Sequence, residues 1–389
     1  METRIAILGA GQLAKYLVLA AKKLGLSPTV IATFSFDPAC EVSDQVRVGE
    51  WTPDSLLQVF QDHEIVTFEN EWISEYLLSK VKAAGLLNKL LPSFESMQKV
   101  RTKWDQKQFF IGENYPTAKT LGPSETNFST ISDLQKSLHP FTNGIVIKES
   151  ELAYDGKGVF VFESKDTEKI KTKLEALTQK NIPWYIEEKV LFKQELALVF
   201  SRRKNGEFGY FPLVEFRSEQ GICSMVLVQG KNSGVMAELE DKAVIIAKDL
   251  CEKIQWCGTG ALEFFNSETQ GLLINEFAPR VHNSGHFTLT ASETSQFENH
   301  LRAILNLPLG SCATASFAVM KNLLGSKYSK VAQAPKSTSH AEVFWYGKRE
   351  IREGRKMGHV TAHGSIQSRD NLIEEVTQLV RHWEIKSSE

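Results

Sequence analysis

The opening of the chain limits the fold more than any other stretch. Arg4-Ile5-Ala6-Ile7-Leu8 is a nearly unbroken apolar run that enters Gly9-Ala10-Gly11. Lacking apolar–polar alternation, it reads as a parallel strand covered on both faces. After the glycines, Leu13, Leu17, Ala20 or Ala21, and Leu24 recur at helical spacing, with Gly25 as the stop. A second strand is predicted over 29–33. Strand, glycine turn, helix and strand make a βαβ start, which the pattern continues through a helix entry at Thr52-Pro53-Asp54 and a strand over Ile65-Val66-Thr67-Phe68.

Beyond a polar stretch at 93–108 the texture becomes α+β. Strands are predicted at Ile145-Val146-Ile147-Lys148, over 158–162 and at Trp184-Tyr185-Ile186, separated by turn residues and one charged helix. A helical period returns near Asp241, with Val244, Ala247, Cys251 and Ile254 on one face, and strands follow over 260–265 and 272–275. The tail carries two strand candidates, 341–346 and 359–362, and a last amphipathic helix with Leu372, Val376, Leu379, Val380 and Trp383. At 389 residues the chain exceeds one ordinary core, and two to three packed units are expected.

Lys plus Arg number 45 against 47 Asp plus Glu, so no global field draws the chain to nucleic acid or an acidic membrane. An anionic substrate must be held by local cations. The five cysteines, Cys40, Cys223, Cys251, Cys257 and Cys312, are scattered and odd in number, which argues against a disulfide framework and for a reducing cytoplasm. No apolar run approaches the length of a membrane span.

Gly9-Ala10-Gly11-Gln12-Leu13-Ala14 satisfies G-x-G-x-x-A, so a dinucleotide site is tested first. A nicotinamide site usually has an acid at the end of the second strand, where Ile31-Ala32-Thr33-Phe34 stands. The turn then reads as structural or, with the later motifs counted, as phosphate-facing, with Gln12 a polar contact. Lys148 projects a cation from a strand, and Tyr154-Asp155-Gly156-Lys157-Gly158 is either a hairpin turn or a loop that closes over nucleotide phosphates. Glu187, Glu188 and Glu195, taken alone, form a surface charge cluster.

Glu263 and Glu276 each end a predicted strand, so adjacent strands would bring both carboxylates, with the Asn275 amide, to one edge. Hard oxygens beside a nucleotide suit magnesium; two solvated acids are the plain alternative. Arg280, His282, Asn283, Ser284 and His286 then place five polar or cationic side chains in seven positions beside Pro279 and Gly285, too dense in chemistry for an ordinary solvated loop. Near the end, the run from Lys348 to His359 concentrates cations, as a basic turn or as a phosphate clamp.

Together these segments resemble the ATP-grasp superfamily and, within it, the 5-(carboxyamino)imidazole ribonucleotide synthase family. The resemblance is carried by the opening glycine turn, by 154–158, by the run from Asn275 to His286 continuing through Ser295-Gln296-Phe297-Glu298 and His300-Leu301-Arg302-Ala303, and by Arg355-Lys356-Met357-Gly358-His359. It implies a Rossmann-like pre-ATP-grasp domain over 1–94, an ATP-grasp domain over 95–310 with a mobile subdomain at about 115–190, and a small β-rich C-terminal domain over 311–389. It implies that Lys103, Lys148, Glu187, Val190, Glu195 and Asn275 bind ATP and that Glu263 and Glu276 bind magnesium. Arg280, with Asn283 and Ser284 nearby, would hold bicarbonate and the carboxyphosphate formed from it, and His282 would be among the catalytic groups. Aminoimidazole ribonucleotide would lie among Gln12, Glu71, Tyr154, Asp155, Lys157 and His282, its phosphate on Lys348 and Arg355. The family's acidic strand end usually closes on Asn where this chain has Trp72, and Lys103 stands where an arginine is usual.

The activity so implied is ATP-dependent carboxylation of the ribonucleotide amine in purine biosynthesis, in a cytoplasmic homodimer that binds neither nucleic acid nor membrane. The rivals are a formate-activating ATP-grasp ligase, which would differ at 280–286, a nicotinamide-dependent dehydrogenase, and a noncatalytic nucleotide-binding module.

Overall fold

The structure is a computed structural model that describes residues 3–151, 158–232, 234–326 and 333–388. Among these residues the strands form three sheets. The first is parallel, with β1 (Ile5–Leu8), β2 (Thr29–Ala32), β3 (Gln45–Val48) and β4 (Ile65–Phe68) in the order β3-β2-β1-β4. β1 and β2 are buried at every residue, as unbroken apolar runs require, and the helix Gln12–Lys23 buries Leu13, Leu17 and Ala21. The predicted βαβ start is therefore present. β3 is an addition: an exposed edge strand of mixed polarity carries no apolar run to betray it. The chain leaves β1 at Gly9 and β4 at Glu69, so the glycine turn and the pair Glu69 and Glu71 meet at the carboxyl edge of this sheet.

The second sheet is antiparallel, with β5 (Thr120–Leu121), β6 (Ile145–Glu149), β7 (Val159–Phe162) and β8 (Trp184–Glu188) in the order β5-β8-β6-β7. Ile145 and Ile147 of β6 pack with Leu134 and Leu138 of one helix and Ile170, Leu174 and Leu177 of another. Alternation sends Lys148 to the opposite face. There it is joined by its β8 partner Tyr185 and by Glu187, the partner of Val146.

The third sheet holds β9 (Phe192–Arg202), β10 (Phe208–Tyr210), β11 (Val214–Glu219), β12 (Ile222–Gln229), β13 (Gly258–Ser267), β14 (Gly271–Ala278), β15 (Phe317–Leu324), β16 (Ala341–Trp345) and β17 (Lys356–Gly364). Its order is β14-β13-β9-β11-β12-β15-β17-β16, with β10 on β9. The strands of the small C-terminal unit thus continue the middle unit's sheet through the β12–β15 pairing. All three parts share one core: Leu13 and Leu17 pack in a cluster with Val281, Phe297, Leu301 and Tyr346. Each such side chain contributes roughly 1.5–3 kcal/mol on burial, which fixes the three parts around the segment that follows β14.

Candidate active site

Glu263 of β13 and Glu276 of β14 are direct cross-strand partners, so both carboxylates leave the same face of the sheet. A register irregularity follows Glu263, a local break of the kind that re-aims side chains. Two acids so placed cannot both ionise without help. Burial and the neighbouring Glu276 push the Glu263 carboxyl up, while Lys103 outweighs burial at Glu276 and holds it low. Lys103 makes a direct ion pair with Glu276.

A second cluster lies between the sheets. Lys107 and Lys148 each sit 2.6 Å from one carboxylate oxygen of Glu187, and Lys148 also donates to Oδ1 of Asn275 at 3.1 Å. Burial would raise Glu187, but the two ammonium groups bring it down to about 2. Burial pushes the Lys107 ammonium down in turn. Val190 lies in the connector from β8 to β9, and half-buried Glu195 stands on β9 opposite Phe265 of β13. Lys103, Lys148, Glu187, Glu263, Asn275 and Glu276 are thus brought into one cleft.

The loop after β14 lies where the three units meet. Arg280 donates through Nε to Glu71 at 2.8 Å. His282 directs Nε2 toward Glu263 at 3.5 Å and accepts at Nδ1 from the Ser284 hydroxyl at 2.8 Å. Ser284 is buried and orients the imidazole. Gln296 grips the His282 backbone at both ends, accepting from its N–H at 2.8 Å and donating to its carbonyl at 2.7 Å. Gly285 is required here, because a Cβ would come within 2.7 Å of the Gln296 oxygen. Asn283 turns its amide to Asn322 of β15.

On the N-terminal side, the glycine turn does not offer its amides to a phosphate as expected. Glu69 accepts from the Gly11 N–H at 2.8 Å and from the Ala14 N–H at 3.3 Å, so the helix start already holds a carboxylate. Gly9 (φ +103°) and Gly11 are small to admit it: a Cβ at either would stand 2.5 Å and 2.7 Å from Glu69 atoms. This is the physical reason for G-x-G here, and it owes nothing to a dinucleotide. Burial raises Glu69, opposed by these N–H groups and by the charge of Lys348. Gln12, half-buried, is the first residue of the helix beyond the turn. Lys348 donates to the Lys356 carbonyl at 2.8 Å, and Arg355, which donates to the Glu350 carbonyl at 3.0 Å, lies near enough to Asp37 to oppose the rise that burial causes there. The Lys348–His359 run therefore faces the first domain. Tyr154, Asp155 and Lys157 lie outside the described residues.

Five participants escaped the sequence: Glu69, Lys107, Gln296, His300 and Asn322. His300 links the two acidic edges, with Nε2 2.9 Å from Thr67 Oγ1 on β4 and Nδ1 accepting the Thr259 N–H of β13 at 3.1 Å. The Gln296 and His300 segments carry the resemblance, yet nothing in their spacing shows which groups they hold.

Residues 1–99 match the ribonucleotide synthetase preATP-grasp domain, 118–297 the ATP-grasp domain and 318–371 the phosphoribosylaminoimidazole carboxylase C-terminal domain. The chain is 33% identical over 366 residues to N5-carboxyaminoimidazole ribonucleotide synthase of Synechococcus elongatus, covering 92% of this chain and 88% of that protein. It is similar to the crystal structure of N5-carboxyaminoimidazole ribonucleotide synthetase from Thermus thermophilus, with a TM-score of 0.81, 32% identity and coverage of 97% of this chain and 98% of that one. It is likewise similar to the Aspergillus clavatus N5-carboxyaminoimidazole synthase solved with ADP and 5-aminoimidazole ribonucleotide, with a TM-score of 0.84, 27% identity and coverage of 98% and 99%. With three domains matched in order and a near full-length relative above 30% identity, the chain belongs to the N5-carboxyaminoimidazole ribonucleotide synthase family of ATP-grasp ligases.

Proposed function

We propose that this chain carboxylates 5-aminoimidazole ribonucleotide with bicarbonate at the expense of ATP, giving N5-carboxyaminoimidazole ribonucleotide, ADP and phosphate in purine biosynthesis. The observation that carries this is the loop from Arg280 to His286, bonded on one side to Glu71 of the first domain and facing on the other the Glu263 and Glu276 edge.

Bicarbonate is a poor electrophile because hydroxide would have to leave. Phosphorylation by ATP converts that oxygen into part of a phosphate leaving group. A bicarbonate oxygen attacks the γ-phosphorus, the bond to the ADP oxygen breaks, and carboxyphosphate forms. Lys148, anchored by Glu187, offers its charge to the nucleotide phosphates, and Arg280 orients the bicarbonate. The ribonucleotide amine then attacks the carboxyl carbon, or carbon dioxide released from it inside the site, as phosphate departs. The amine proton passes to phosphate or to a nearby base, for which Asp155 and His282 are candidates. Closure over 154–158 would keep water from the labile intermediate.

The donor set fits magnesium: Glu263, Glu276 and Asn275 are hard oxygen donors, and a dication relieves the repulsion that holds Glu263 high. Among the described residues no group of three or more His, Cys, Asp or Glu side chains is arranged to hold a metal ion, and magnesium beside a nucleotide would share its shell with phosphate oxygens. When bound it supplies charge neutralisation at the transferring phosphoryl group. Lys103 would then leave Glu276 for a nucleotide phosphate. Gln12, Glu71, Tyr154, Lys157, Lys348 and Arg355 are assigned to the ribonucleotide, Glu195 and Val190 to the nucleoside of ATP, and Asn283 with Ser284 to the bicarbonate end. We place the protein in the cytoplasm as a homodimer, in keeping with five free cysteines.

Phosphate release from ATP, measured with and without aminoimidazole ribonucleotide and bicarbonate, tests the assignment. Release should need both and match carboxylated product one for one; release that ignores the ribonucleotide, with no product, sinks it.

A further inference from the structure

Asn283 sits in the loop assigned to bicarbonate, yet its amide is committed to the C-terminal strands. Its Nδ2 donates to Oδ1 of Asn322 at 3.1 Å, and its Oδ1 accepts from Nδ2 of Asn322 at 2.7 Å. Asn322 lies on β15, is 2% exposed, and also donates to the Cys223 carbonyl of β12 at 2.8 Å. That bond fixes which end of the Asn322 amide is nitrogen, because a carbonyl only accepts. The fixed amide in turn dictates the orientation of Asn283. Among the described residues, one N–H of Asn283 is left uncommitted.

The rest of the loop is held by other means. His282 is gripped by Gln296, and Arg280 by Glu71. Asn283 takes its orientation from β15. An apolar residue at this β15 position would leave the Asn283 amide without a fixed orientation, so what Asn322 adds beyond filling space is direction.

We propose that Asn322 is a positioning residue for bicarbonate: it sets the orientation in which Asn283 presents its remaining N–H to the anion, and so makes the C-terminal strands part of the site. Its role rests on the bicarbonate reading of the loop. Asn322→Asp keeps the shape but loses both donors, so in either orientation of the Asn283 amide one carboxylate oxygen meets the Asn283 oxygen, and the amide is driven from the position in which it presents its N–H to the anion.

The test is steady-state kinetics of Asn322→Asp and Asn322→Ser with each substrate varied, beside thermal unfolding. The bicarbonate KM should rise about tenfold in Asn322→Asp, the size of one lost hydrogen bond, while the ATP KM stays within about twofold. In an Asn283→Ala background Asn322→Asp should add less than about twofold, since no amide remains to misdirect. A lowered Tm with an unchanged bicarbonate KM, or an equal rise in every KM, overturns the proposal and leaves Asn322 structural. Should Asn322→Asp fail to fold, Asn322→Ser, which cannot hold both ends of the Asn283 amide, must show the rise by itself, and its absence overturns the proposal equally. If wild-type ATP cleavage needs no bicarbonate, the reading of the loop fails, whatever the variants do.

Discussion

Two pairs of glutamates flank the loop from Arg280 to His286, and they have opposite duties. Glu69 and Glu71 end β4; Glu69 is spent on the backbone of the glycine turn and Glu71 on Arg280. Glu263 and Glu276 face each other across β13 and β14, where Lys103 pairs directly with Glu276 and acts on Glu263 only through space. In the first pair each carboxylate is already hydrogen-bonded within the protein, Glu69 by backbone N–H groups and Glu71 by Arg280. In the second, burial and mutual repulsion leave a demand for positive charge that the protein half meets. Identical side chains, one pair just past the end of β4 and the other within β13 and β14, thus divide into a pair that builds the site and a pair kept ready for a cation and its nucleotide.

The largest expected effect is at the second pair. Glu276→Gln should lower kcat by about a thousandfold or more, as loss of a main electrostatic contact at a phosphoryl-transfer site does, while the protein stays folded. A variant that unfolds instead would erase the distinction between the pairs.

His300 sharpens the comparison because it bonds both strands, at Thr67 and at Thr259. Burial lowers its imidazole from the ordinary 6.5 to about 4, and the neutral ring is needed to accept the Thr259 N–H. Since the folded value lies below the unfolded one, the stability it contributes is full above pH 6.5 and is lost as pH falls toward 4. The loss is on the order of 3 kcal/mol. Urea unfolding of wild type and His300→Gln across this range should show the gap between them closing with acid; a constant gap contradicts the assignment.

At the first pair, Glu69→Gln should cost stability, about 1–3 kcal/mol in denaturant unfolding, and leave kcat within about tenfold. A collapse of kcat with unchanged stability would move Glu69 into the reacting set. Smallest is Lys348→Ala, which should raise the KM for aminoimidazole ribonucleotide about tenfold through one lost cation while sparing the ATP KM.

The sequence was most legible where chemistry is local and dense. The βαβ start showed in an unbroken apolar run, and the Arg280–His286 loop in polar residues crowded beside Pro279 and Gly285. Glu263 and Glu276 could be paired because each follows a short apolar run, although β13 and β14 continue past them to Ser267 and Ala278. Legibility failed where a residue's partner is remote. The glycines of the opening turn make room for Glu69, some 58 residues away, and no local pattern says so. Asn322 follows Lys321 in an otherwise apolar strand and reads as a surface position, and its partner is 39 residues upstream. Lys107 sits in a helix of weak amphipathicity and reads as surface charge, though it is buried on Glu187. β9 hides for a related reason, because Lys193, Gln194 and Glu195 begin a strand whose buried part comes only afterwards.

The central claim is that ATP cleavage and carboxylation meet at the Arg280–His286 loop through a bicarbonate oxygen. Turnover with 18O-labelled bicarbonate, ordinary ATP and aminoimidazole ribonucleotide, with the phosphate analysed by mass spectrometry, addresses it directly. One labelled oxygen per phosphate, in step with carboxylated product, is the predicted result; unlabelled phosphate beside normal product formation would contradict it.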